Sequence, residues 1–241
     1  MLSMVDETPL INDFGKTIET RFGEPSDFIR TKVEANSFGD FLRNLELKPE
    51  GAQAKYFNGN LKPNHNIYVS VVDLPISPKD IQINSDAILR LRAEYLFVHK
   101  QYDKIVFNIK NEKYSFVDFC HGDYSLSNFY DYLDMVMEKI SNADFCKELE
   151  PINLNDLQVG DVFIQKNLPN GHAVIVVDVV QDEFGQKLFL LAQSFTPAQE
   201  IQVISNPSRD DISPWYELKP GQLLTPEWRF MTSDLMRFKN L

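Results

Sequence analysis

Apolar residues recur along this chain at helical spacing in its first half and in β-branched runs in its last third. Residues 37–45 place Phe38, Phe41, Leu42 and Leu45 on one helical face behind Ser37, a good N-cap. Residues 84–100 carry Ala87, Ile88, Leu91, Tyr95 and Val98 at the same spacing behind the cap-type run Asn84-Ser85-Asp86, with Arg90 and Glu94 four apart. A third helix is predicted over 126–140, capped by Ser125 or Ser127. Strands are predicted over 28–33 and 67–72, with a turn at Asn58-Gly59 between extended pieces. A hairpin is predicted from 105–109 and 113–117 around Asn111.

The last third is strand-rich. Gly160-Asp161 opens a short apolar strand, Gly171-His172 leads into the run 173–180, and the run 188–192 ends on Gln193. Residues 182–186, with Gly185, read as a hairpin loop. Pairing Val180 with Lys187 puts His172 opposite Phe195 and makes His172 and Gln193 diagonal neighbours on one face. A one-residue change in the loop separates them to opposite faces. Both runs are apolar on both faces, so the sheet is expected to be covered on both sides, and Gln193 then needs a partner. Helices precede strands without a βαβ rhythm, which predicts an α+β fold with a largely antiparallel sheet. Residues 1–20 are polar and weakly patterned and read as a tail or docking segment before a single domain over 21–241.

The chain has 241 residues and 43% hydrophobic content, enough for a real core. Its 35 acidic and 24 basic residues leave a net charge of −11, which disfavours nucleic acid and anionic membranes as partners. No apolar run reaches transmembrane length. The N-terminus lacks a basic region followed by an apolar stretch, so the chain is either cytoplasmic or begins after a removed leader. Cys120, Cys146, His65, His99, His121 and His172 show no metal-ligand spacing, and no metal or cofactor is expected.

The chemistry therefore concentrates on His172 and Gln193, an imidazole and an amide at the ends of two strands expected to pair. A hydrolase keeps its base and its orienting group in such a place. The plainer reading is a strand-end histidine and a glutamine satisfying buried backbone. Asp178, with the same parity as His172, could join a network or be an exposed strand-end carboxylate. Cys120 beside His121 is a candidate thiol, but neighbours on an extended chain point apart; Cys146 reads as packing. The aromatic stretch 213–230, with Trp215, Tyr216, Trp228 and Phe230, either packs on the sheet or lines a groove for a peptide or sugar.

GDVFI, GHAVIVVDV, LLAQSFTPAQEI, SPWYE and TPEW, with RLRAEYL and SFGDFLRNL upstream, resemble the domain-of-unknown-function family 4846 over about residues 20–238. The family is bacterial, and its members are often predicted to be exported or lipoproteins. Its GDVF…GHAVIVVD segment is similar to the histidine strand of papain-like cell-wall peptidases of the NlpC type. That likeness implies a papain-like core with an N-terminal elaboration, His172 as base and Gln193 as its orienter. In the family the RLRAEYL helix follows a cysteine in a QQCADA-like stretch; here Asn84 holds the cysteine position. A thiol at a helix N-terminus is acidified by free N–H groups and the dipole, whereas a carboxamide cannot ionise. Asn84 is expected to cap the helix and to delete the chemistry. Ser85 is adjacent but turned by about 100°.

The resemblance thus implies a degenerate cysteine-hydrolase site lined by Asn84, Ser85, His172 and Gln193, binding a peptide-like or cell-wall-derived ligand without turnover. The alternatives are an active amide or ester hydrolase using His172 with Ser85 or another nucleophile, and a scaffold presenting its aromatic C-terminal stretch.

Overall fold

The computed structural model describes residues 9–165 and 171–240. Its helices are α1 (Ile18–Arg21), α2 (Phe38–Arg43), α3 (Ser85–Val98), α4 (Phe116–Cys120), α5 (Leu126–Met137) and α6 (Asn142–Phe145). Its strands are β1 (Ile29–Arg30), β2 (Tyr68–Val71), β3 (Val106–Ile109), β4 (Glu112–Ser115), β5 (Leu149–Pro151), β6 (Val162–Ile164), β7 (Ala173–Gln181), β8 (Lys187–Gln193), β9 (Gln202–Ile204), β10 (Tyr216–Glu217), β11 (Gln222–Leu224), β12 (Arg229–Met231) and β13 (Leu235–Phe238). The architecture is mixed α+β. Nine strands form one antiparallel sheet in the order β2-β9-β8-β7-β6-β13-β5, with β1 added to β7 and β10 to β8. The hairpins β3-β4 and β11-β12 stand apart from it.

The sheet centres on β7 and β8, whose residues from Ala173 to Val180 and from Leu188 to Gln193 are buried. Two-sided burial of β-branched side chains is what the continuous apolar runs require. Near the turn the pairs are Gln181↔Lys187 and Val180↔Leu188, one residue away from the expected pairing of Val180 with Lys187. Val177 is then inserted as a bulge, and beyond it Val176 pairs with Leu191 and Ile175 with Ala192. The bulge cancels the offset made at the turn, so the half of the hairpin nearer His172 has the expected register.

Helix α3 differs from the one-faced helix predicted. From Ser85 to Leu96 it is buried on every side, while Val98 is exposed. On its polar face Arg90 donates to Glu94 at 3.2 Å and to Gln82 at 2.6 Å. Arg92 donates to the Asn240 carbonyl at 2.8 Å, while its Nε is buried without a partner among the described residues. Tyr130 of α5 covers Arg90, Phe238 of β13 covers Arg92, and Phe38 of α2 packs on Tyr95. Ser37 and Ser125 cap α2 and α5 as expected. The hairpin is shorter than expected, because Phe116 and Val117 already belong to α4. The expected strand at 28–33 contributes only two ladder residues. Within residues 9–22, Thr17 forms a capping box with Thr20, and Ile18 and Phe22 are fully buried.

Candidate functional site

Gly171 brings the backbone before β7 into close approach with the end of β6. A Cβ there would stand 2.3 Å from the Gln165 carbonyl oxygen. His172 follows, its carbonyl accepting the Gln165 N–H at 3.1 Å. Its ring is 1% exposed and lies between two carboxamides: Nδ1 is 2.8 Å from Asn84 Oδ1 and Nε2 is 2.9 Å from Gln193 Oε1. Three distant pieces of chain, the start of α3, the approach to β7 and the end of β8, meet at one imidazole.

Asn84 differs from its expected role. Its side chain makes no capping hydrogen bond to α3. It turns to His172 instead, from a backbone at φ 48°, ψ −111°. That left-handed φ is sparsely populated for a residue with a side chain and costs about 1–3 kcal/mol. The first turn is closed by others: Asp86 N–H donates to the Ile83 carbonyl at 2.9 Å, and Ile83 N–H to Asp86 Oδ2 at 3.3 Å. Burial holds the Asp86 carboxyl well above its ordinary pKa. Ser85 does not reach the ring. Its hydroxyl donates to Asn142 Oδ1 at 2.6 Å, and Asn142 Nδ2 donates to the Gly171 carbonyl at 3.3 Å, a brace under the His172 backbone.

The network continues outward through residues that sequence reasoning passed over. Gln193 Nε2 donates to Glu227 Oε2 at 2.7 Å, and buried Lys62 donates to the same oxygen at 2.7 Å and to Gln202 at 3.2 Å. A buried glutamine needs an acceptor for its NH2 group, and that requirement was the available signal for Glu227. Nothing local marks Lys62. Phe195, Trp228 and Phe230 surround the ring at centroid distances of 4.7, 5.5 and 5.8 Å. Glu227, Trp228 and Phe230 all ride on the β11-β12 hairpin and its tip.

These surroundings set the protonation state. Burial lowers the His172 pKa from 6.5 to about 4; the Gln193 hydrogen bond opposes the shift and the Lys62 charge adds to it. Burial likewise lowers Lys62, against the support of Glu227. At neutral pH the ring therefore has one N–H. Glu227 claims the Gln193 amide nitrogen, which leaves Gln193 Oε1 for the ring and puts the proton on Nε2. Nδ1 is then a lone pair, and Asn84 must turn its NH2 toward it; Asn84 Oδ1 faces Nδ1 only when the ring is an imidazolium. The arrangement can hold and pass one proton, but its helix-mouth position offers an amide rather than an ionisable nucleophile.

The other candidates lie elsewhere. The bulge at Val177 breaks the expected parity of Asp178 with His172: Val176 and Asp178 pair with adjacent residues of β8, whose side chains point to opposite faces. Asp178 is fully buried and bound by Arg30 at 2.8 Å and Arg43 at 2.6 Å, rather than exposed at a strand end. Cys120 ends a helix rather than following a strand, and its thiol donates to the Val117 carbonyl. Cys146 is buried beside α6. Trp215 is fully buried with its N–H donating to the Gly23 carbonyl, which removes it from any contact surface; Trp228 is half-buried. Among the described residues no cluster of three His, Cys, Asp or Glu side chains is placed to hold a metal ion, and no helix is long and apolar enough to cross a membrane.

A family model described as Domain of unknown function (4846) matches residues 18–123 and 109–237. No curated protein and no solved structure matches the chain.

Proposed function

The chain belongs to the family described as Domain of unknown function (4846), and from that premise we propose that it is a degenerate relative of papain-like, NlpC-type cysteine hydrolases. In this reading it binds a peptide-like or cell-wall-derived ligand and does not hydrolyse it. The observation that carries the reading is the Asn84–His172–Gln193 chain, with Asn84 strained at the mouth of α3 while leaving the helix uncapped. An asparagine serving only as a cap would bond the helix N–H groups; backbone strain held at the helix mouth to face His172 supports a former nucleophile position. The base and its orienter persist, and only the ionisable group is missing. Ser85 does not replace it, because its hydroxyl is committed to Asn142. The half-buried Trp228 ring beside His172 supplies a flat apolar surface for a ligand at the rim.

Replacing the missing group tests the reading. In Asn84→Cys, iodoacetamide at neutral pH is expected to alkylate position 84 well ahead of Cys120 and Cys146, and the added substitution His172→Ala should abolish that advantage. A thiol at 84 that reacts no faster than the two buried native thiols, or that ignores His172, overturns the hydrolase lineage. Binding is read separately, by titrating a muramyl peptide against tryptophan fluorescence in the wild type and in Trp228→Phe. A response that is absent from the wild type, or unchanged in the variant, removes the ligand from this site.

A further inference from the structure

The Asn84–Ser85 linkage has a geometry whose chemistry is independent of any hydrolase ancestry. The two substituents N and Cβ on an L-residue Cα stand about 120° apart in projection along Cα–C. At ψ −111° the Ser85 nitrogen therefore nearly eclipses the Asn84 Cβ. That alignment is required by a five-membered ring joining the Ser85 nitrogen to the Asn84 Cγ. Ordinary helical and extended backbones keep the two atoms apart. Here only rotation about Cα–Cβ separates them.

Two further features point the same way. Ser85 is the first residue of α3, so its N–H has no acceptor within the helix. The carboxamide also lies 2.8 Å from His172 Nδ1, the nitrogen that carries the lone pair in the neutral tautomer argued above from the Gln193–Glu227 contact.

We propose that Asn84 is a self-modification site: its side chain closes on the Ser85 backbone nitrogen to form a cyclic imide, which water opens to aspartate and isoaspartate, with His172 as the proton shuttle. The step balances without a redox partner. The Ser85 nitrogen forms a bond to Cγ, and its proton passes to Nδ1. The imidazolium returns that proton to the departing nitrogen, the Cγ–Nδ2 bond breaks, and ammonia leaves. One water then attacks either imide carbonyl, the C–N bond on that side breaks and the Ser85 nitrogen regains its proton: cleavage at Cγ leaves aspartate, cleavage at the backbone carbonyl leaves isoaspartate. Aspartate at 84 sets a carboxylate against Nδ1 in place of a neutral amide. An adjacent opposite charge favours the imidazolium, so the modification raises the ring's pKa from its depressed position.

The experiment follows the Asn84 peptide by mass spectrometry after the full chain is held at neutral pH, folded in one sample and unfolded in urea in the other. Conversion is expected to be several-fold faster in the folded chain, to give both aspartate and isoaspartate, and to slow in His172→Ala. Equal or slower conversion in the folded chain overturns the proposal. So does aspartate without isoaspartate, since direct hydrolysis of the amide bypasses the imide. The comparison of folded and unfolded wild type stands even if His172→Ala fails to fold. If that variant keeps its fold, an undiminished rate removes the shuttle and overturns the proposal as stated.

Discussion

The two ends of β7 each bury a polar side chain, and they do so by opposite means. Past the bulge, Asp178 is bound by two guanidinium groups and by the Val179 N–H at 2.8 Å, and Arg43 also donates to the Val179 carbonyl. Before the bulge, His172 is hydrogen-bonded to two carboxamides and ringed by aromatic side chains, with no carboxylate or guanidinium bound to it among the described residues. The first end is a charged lock tying α2 and β1 to the sheet; its carboxylate has no role to spare. The second is neutral at physiological pH and titratable, and one of its members is held in a strained backbone. The first cluster is fully compensated by charge; the second combines a titratable ring with backbone strain at Asn84, which is why the proposed function rests on it.

Breaking the lock has the largest expected effect. Asp178→Ala leaves the buried Arg43 and the half-buried Arg30 without their carboxylate, and urea denaturation should show a loss of about 3–5 kcal/mol. The His172 titration, read by NMR, should not move. A loss below about 1 kcal/mol would place this cluster with ordinary surface pairs.

The amide end should show itself in the pH dependence. The unfolded ring titrates near 6.5 and the folded ring near 4, so between these values the unfolded chain holds the extra proton. Stability therefore falls as pH drops through that window, by roughly 3 kcal/mol in total, and is indifferent to this group above it. His172→Gln should lose that share of the slope in denaturation series at successive pH values; parallel curves for the two chains would mean the ring titrates normally.

Smaller effects separate the parts of the network. Glu227→Gln removes the charge that orients Gln193, so the ring proton should redistribute between Nε2 and Nδ1 in the ring-nitrogen chemical shifts, with a loss of about 1–3 kcal/mol. An unchanged tautomer would detach Glu227 from the site. Finally, Asn84→Gly and Asn84→Ala both lose the contact to His172, but glycine reaches the positive φ freely. Glycine should be the milder change by about 1 kcal/mol, and equal losses in thermal melts would remove strain from the account.

Much of this was legible in residues alone. Ser37 and Ser125 announce their helices because a hydroxyl before an apolar stripe satisfies local N–H groups. The continuous apolar runs on either side of Gly185 announce β7 and β8 because an unbroken apolar run of that length suits a strand covered on both faces. His172 and Gln193 stood out as polar residues at strand ends, and Asn84 as the residue in the cysteine position of the family the chain resembles. Glu227 and Lys62 did not, since each is an ordinary surface residue until Gln193 brings it into contact.

By itself the sequence determined the main helices, the antiparallel pairing of the central hairpin and the absence of a thiol at residue 84. The fold alone decided which face each side chain took. An offset at the turn and a bulge at Val177 cancel, leaving His172 beside Gln193 while sending Asp178 to its guanidinium partners. Local preference cannot choose between registers one residue apart when both faces are apolar. The choice is made by the partners waiting on each side, and those come from remote parts of the chain.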